Sequence, residues 1–188
     1  MRARTLAALA SAALVAMTAP ASAAAWRGYI SHPLGFAFAA PGDLKVEKGT
    51  YKAAVGGTHD TLVFRTVDDN IEYKAIVIDT TAEASNAATL LGEAEYIFQD
   101  GAGKKVLMDT FGRVDGKFGR KLTIDLPNKA GRTTAAFYFV NGRIVSLQAT
   151  VLPANGDYDT PEMGRFIDSI TFYTVRAAND ATELTLPK

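Results

Sequence analysis

Apolar and polar side chains alternate with the period of a strand along most of this chain, and only two stretches carry the wider spacing of a helix. Residues 26–31 and 36–40 read as short aromatic-rich strands split by the turn His32-Pro33-Leu34-Gly35, and Pro41-Gly42-Asp43 closes the second. A strand over 44–54 follows, weakened by Gly49, and Gly56-Gly57-Thr58-His59-Asp60 reads as a loop. Residues 62–67 and 71–79 then form a hairpin about Asp68-Asp69-Asn70, whose side chains accept turn geometry. Thr80 and Glu83 match a capping box, so a helix is expected from there. Leu90, Leu91, Ala94, Ile97 and Phe98 give it one apolar stripe, and Gly101-Ala102-Gly103 ends it.

Strand patterning resumes over 105–114 and 118–126. The strongest local signal comes next: 133–140 and 143–151 flank Asn141-Gly142, two residues that both accept positive φ. A two-residue turn there sets Tyr138 beside Val145 and Ala136 beside Leu147 on one face, with Phe139 beside Ile144 on the other. Both faces carry large apolar groups, so both should be covered. Thr160-Pro161-Glu162 supplies an N-cap, a proline at the first helical position and an early acid. Met163, Phe166, Ile167 and Ile170 form the apolar side of that short helix. Two helices with a mostly antiparallel sheet apolar on both faces imply an α/β/α sandwich of the α+β class. Residues 24–175 are expected to form its single domain, and 176–188 a polar tail with a short edge strand near 183–186.

The first 23 residues are patterned differently. Arg2 and Arg4 precede a short apolar run, and Ala21-Ser22-Ala23 fits a signal-peptidase site, so cleavage is expected after Ala23 and the protein should be periplasmic or secreted. The later chain holds no run apolar and long enough to span a membrane. The whole sequence of 188 residues balances 20 basic against 20 acidic side chains and has no cysteine. Such a balance argues against nucleic-acid binding, and the missing cysteines remove thiol catalysis, disulfides and cysteine-rich metal sites.

Motifs that carry chemistry are scarce. Gly103-Lys104 lacks the first glycine and the hydroxyl of a phosphate-binding loop, and none of Ser31, Ser85, Ser146 and Ser169 stands in a nucleophile elbow. His32 and His59 belong to no ligand-spaced pair; His59 with Asp60 is a weak polar-site candidate that could lend two ligands to a site completed elsewhere. Residues 155–159 resemble a calcium loop only superficially. The aromatics Trp26, Tyr29, Phe36, Phe38, Tyr138 and Phe139 suit either a pocket wall or the core. No catalytic residue, metal site or cofactor is therefore assigned. Charge is uneven, however. Residues 60–100 hold nine acids against Arg65 and Lys74, a net −7, whereas 113–143 hold seven basic residues against Asp115 and Asp125, a net +5. Arg113, Lys117, Lys121, Lys129 and Arg132 are the candidate partner-binding face, attractive to an acidic protein or an anionic envelope surface. Alternation along 118–126 sets Lys121 outward and Arg120 on the face of Leu122 and Ile124, where Arg120 should snorkel or pair with a carboxylate rather than meet a partner.

The opening strand pair with Gly35-Phe36-Ala37-Phe38-Ala39-Ala40-Pro41, the mid-chain helix, and the ending from Phe137-Tyr138-Phe139-Val140-Asn141-Gly142-Arg143 to Arg165-Phe166-Ile167-Asp168-Ser169-Ile170 together resemble the PsbP-like family. The resemblance spans about residues 26–173 and implies an α/β/α sandwich that serves in binding or assembly rather than catalysis. It transfers no functional residue. The expectation is an exported, soluble, non-enzymatic binding or assembly module, whose partner is an unidentified protein or small ligand of the cell envelope. The alternative is a small periplasmic hydrolase whose site is assembled only in three dimensions.

Overall fold

The computed structural model describes residues 24–53, 57–83, 86–100, 103–153, 158, 160–172 and 180–187. The signal-like segment, Ser85, Gly101-Ala102 and most of the calcium-loop look-alike lie outside them. Among the described residues, ten strands and two α-helices follow in order, besides short 3-10 turns: β1 (Trp26–Ser31), β2 (Phe36–Pro41), β3 (Lys45–Lys52), β4 (Thr58–Asp68), β5 (Ile71–Asp79), α1 (Ala87–Gln99), β6 (Lys105–Val114), β7 (Lys117–Asp125), β8 (Arg132–Val140), β9 (Arg143–Val151), α2 (Pro161–Ile167) and β10 (Thr182–Glu183). Strands β3-β4-β5-β9-β8-β7-β6 form one antiparallel sheet of seven, and β10-β1-β2 form a second of three.

Each face of the large sheet has its own core. Phe64, Tyr73, Val145 and Leu147 meet α2 and the small sheet through Phe166, Phe36 and Phe38. On the other face Ile78, Leu122, Phe137 and Ile144 meet Leu90 and Ala94 of α1. This is the two-sided burial expected from the β8–β9 hairpin, whose register pairs Tyr138 with Val145, Ala136 with Leu147 and Phe139 with Ile144. Asn141 and Gly142 take φ of 51° and 76°, the left-handed geometry that a tight turn demands. The fold is the α+β sandwich expected, with the large sheet covered on both faces.

Three local expectations are corrected. Thr58, His59 and Asp60 are strand rather than loop, because β3 runs far enough to pair Tyr51 with His59 and Lys52 with Thr58. The mid-chain helix begins at Ala87, not at Thr80. The Thr80 hydroxyl is buried and donates to the Gly142 carbonyl at 2.8 Å, and the helix is capped by Asn86, whose side chain accepts from Thr89 N. Thr160 stands at the N-cap position of α2 but makes no capping hydrogen bond; Pro161 and packing set the start. The tail carries an edge strand one residue earlier than the expected start, β10 pairing in parallel with β1, and Leu184 joins the core.

Candidate functional site

The β6–β7 hairpin positions the most distinctive surface of the molecule. Phe-Gly-Arg occurs at 111–113 and again at 118–120, and the turn at Asp115-Gly116 sets the two triplets against each other. Phe111 faces Arg120, Gly112 faces Gly119, and Arg113 faces Phe118. Each guanidinium therefore lies over the ring of the opposite strand, at 4.2 Å for Arg120 on Phe111 and 4.9 Å for Arg113 on Phe118. The phenylalanines remain 80% and 68% exposed despite this cover. Gly119 is required by packing, since a Cβ there would stand 2.3 Å from the Phe137 carbonyl oxygen and 2.5 Å from the Tyr138 ring.

Helix α1 lies over β8 and β7, where Phe98 meets Phe137 edge-on at 5.3 Å. It stops short of the hairpin. Between them runs a groove of about 580 Å³, walled by Leu91 and Gly92 of α1, Phe139 of β8, and Phe111 and Phe118 of the hairpin, with Lys117 at one end. Arg120 stands at its floor and ties the walls together. Its Nε lies 2.6 Å from Glu95 Oε1 on α1, an ionic contact without an aligned hydrogen bond, and its Nη2 donates to Asp109 Oδ1 on β6 at 2.5 Å. Of the two outcomes expected for Arg120, pairing with a carboxylate is the one found. Burial pushes the Glu95 carboxyl above its ordinary pKa, against the opposing pull of Arg120, and Asp109 raises it further.

The basic residues do not form one patch. Arg113 and Lys117 lie at the hairpin end of the groove, whereas Lys129 and Arg132 lie at the far end of β7, about 27 Å away at the usual rise per residue. Arg132 pairs with Asp125 at 2.8 Å and covers the Tyr158 ring. Lys121 is on the face opposite Leu122, as alternation requires, but that face is itself covered. Its Nζ reaches Asp168 at the end of α2 at 2.8 Å rather than standing ready for a partner.

His59 and Asp60, adjacent in β4, point to opposite faces. The buried His59 ring lies beside Tyr51, while Asp60 lines a polar cleft of about 290 Å³ with Lys48, Asp79 and Arg143. Burial drives the Tyr51 hydroxyl up to about 12. Hydrogen bonding from Thr81 lowers the Asp79 carboxyl against the effect of its own burial. His32 contacts Glu183 at 2.5 Å on the surface, but neighbouring Ser31 is fully buried, its hydroxyl accepting from Leu34 N. Ser169 bonds the Phe166 carbonyl and the Ala39 amide, and Ser146 lies beneath α1 beside Gln148. Among the described residues no three metal-ligating side chains cluster, and no helix is long and apolar enough to cross a membrane. The early aromatics Tyr29, Phe36 and Phe38 are core. Phe139 alone of the six aromatic candidates lines the groove, and Phe111 and Phe118 were not among them; the doubled Phe-Gly-Arg was the signal available.

No protein-family model matches the sequence, and no curated protein matches it. Among solved structures the chain is similar to the solution structure of cyanobacterial PsbP from Synechocystis, at 15% identity and a TM-score of 0.51, covering 86% of this chain and 97% of that one. It also matches a Pseudomonas aeruginosa protein of unknown function at 12% identity and a TM-score of 0.36, covering 69% of this chain and 85% of that one. At these identities the first likeness speaks for the fold alone.

Proposed function

We propose that this PsbP-like sandwich is an exported, non-enzymatic binding or assembly module, and that the groove between α1 and the β6–β7 hairpin is its contact site. The observation that carries this reading is the pair of solvent-facing rings, Phe111 and Phe118, beside an apolar wall that α1 leaves uncovered. Large exposed aromatic surface is costly to keep in water and marks contact sites. Arg113 and Lys117 at the hairpin end favour an apolar group that carries negative charge, either an acidic peptide or a small amphiphile of the cell envelope. The export half of the proposal is supported by the leader-like pattern of residues 1–23.

The test is affinity capture from the protein's own cell envelope, run in parallel with a Phe118→Ser, Lys117→Glu variant. Both side chains are exposed, so the fold should persist. Loss of the captured species from the variant, with unchanged thermal unfolding, supports the groove. Equal recovery by both proteins removes it as the contact site.

A further inference from the structure

The two edges of the large sheet are built differently. β3, at one edge, is studded with charge: Lys45, Glu47, Lys48 and Lys52 deter a further strand from pairing there. β6, at the other edge, is ten residues long, and Val106, Leu107 and Phe111 are each more than 40% exposed. Among the described residues no strand pairs with its outer side. An edge of this kind is a template for another strand.

The turn chemistry shows which backbone groups face outward. Asp115 and Gly116 form a two-residue turn, so Val114 and Lys117 make the hydrogen-bonded pair beside it, and the pattern alternates from there. Val114, Gly112 and Thr110 therefore direct their N–H and C=O groups to β7. Asp109, Phe111 and Arg113 direct theirs to the open edge.

We propose that a second copy of this chain pairs antiparallel on that edge, β6 to β6, about a two-fold axis through Phe111. In this register Phe111 meets Phe111 of the second copy, and Asp109 meets Arg113 of the second copy on both sides of the axis. All three pairs join outward-facing residues, so each exchanges two backbone hydrogen bonds. Their side chains share the α1 face, where opposite charges and paired rings across strands are favourable. On the other face Met108 meets Val114 and Thr110 meets Gly112, apolar and small groups in both cases. The matched window is bounded by features already in the strand: the register shift between Val106 and Met108 at one end, the hairpin turn at the other. Sliding by two residues one way sets Asp109 against Phe111 and draws in the irregular stretch; sliding the other way sets Asp109 against Asp115. Only the register about Phe111 is complementary in charge.

The axis stands perpendicular to the sheet, so the product is one continuous sheet of twice seven strands with both α1 helices on the same face. The two grooves then open side by side. The pairing is argued from the edge strand; it shares Phe111 and Arg113 with the groove, but its readout is mass and cross-linking, so its failure leaves the groove reading standing.

Sedimentation and light scattering of the purified protein over a concentration series to about 1 mM should show the chain mass giving way to twice that mass. Arg113→Asp, which puts like charges opposite, should weaken the dimer at least tenfold. Geometry is tested independently by cysteine, which the sequence lacks. A hydrogen-bonded antiparallel pair holds its Cα atoms about 5.5 Å apart, within the about 4.4–6.8 Å that a disulfide spans. Phe111→Cys should therefore cross-link to a dimer on mild oxidation, and Leu107→Cys, well away from the axis, should not. A monomer throughout the series overturns the proposal. So does a dimer indifferent to Arg113→Asp, or one that cross-links as readily through position 107 as through 111.

Discussion

Phe166 decides whether α2 is anchored as the structure shows. The helix is seven residues long, too short to persist on its own, so packing must hold it. The Phe166 ring is fully buried and meets Tyr73 of the large sheet edge-on at 5.2 Å and Phe38 of the small sheet edge-on at 6.0 Å. It is the wedge between helix and both sheets. Phe166→Ala removes the ring and leaves a cavity between elements that cannot close independently, a loss of about 3–5 kcal/mol. Phe166→Leu keeps most of the buried volume and forfeits the two ring contacts, each worth about 0.5–1.5 kcal/mol beyond area, so about 1–3 kcal/mol is expected. Urea unfolding measures both as a shift of midpoint at constant slope. In a thermal scan the alanine variant should melt about 6–20 °C lower, at about 2–4 °C per kcal/mol for a domain of this size. A loss below about 1 kcal/mol for Phe166→Ala would refute the wedge and leave α2 held by its other contacts.

Gly142→Val forces a β-branched residue into φ of 76° and sets a Cβ 3.1 Å from Thr81 Cγ2; about 1–3 kcal/mol of destabilisation by urea unfolding is expected, and an unchanged midpoint would contradict the turn. Glu95→Gln should change how stability depends on pH. Because burial raises the folded-state pKa of Glu95, its contribution is fully present below the unfolded value of 4.5 and is lost as pH rises through the raised value. The glutamine variant lacks that loss, so its stability relative to wild type should improve across this window; parallel curves would count against it. N-terminal sequencing of the secreted protein should return Ala24, and recovery of Met1 would refute export by a cleaved leader.

The local rules of backbone and side chain were enough for much of this fold. Period-two alternation with an Asn-Gly turn determined the β8–β9 register to the residue, because turn length and pleat admit one pairing. The same alternation required both faces of the sheet to be covered, and it placed Arg120 with the apolar side chains of β7; that Glu95 pairs with it there was decided by where α1 packs. Tertiary structure decided what depends on residues far apart in the chain. The Thr80 hydroxyl was turned to the carbonyl of Gly142, 62 residues away, and Lys121 lost its openness to Asp168, 47 residues away. His59 and Asp60 were separated when β3 extended β4 by pairing, which turned a loop into a strand and its neighbours to opposite faces. The groove is a consequence of where α1 comes to rest. A helix stripe states that one face will be buried, but only the packing of Phe98 on Phe137 sets α1 over β8 and β7 and leaves Phe111 and Phe118 in water.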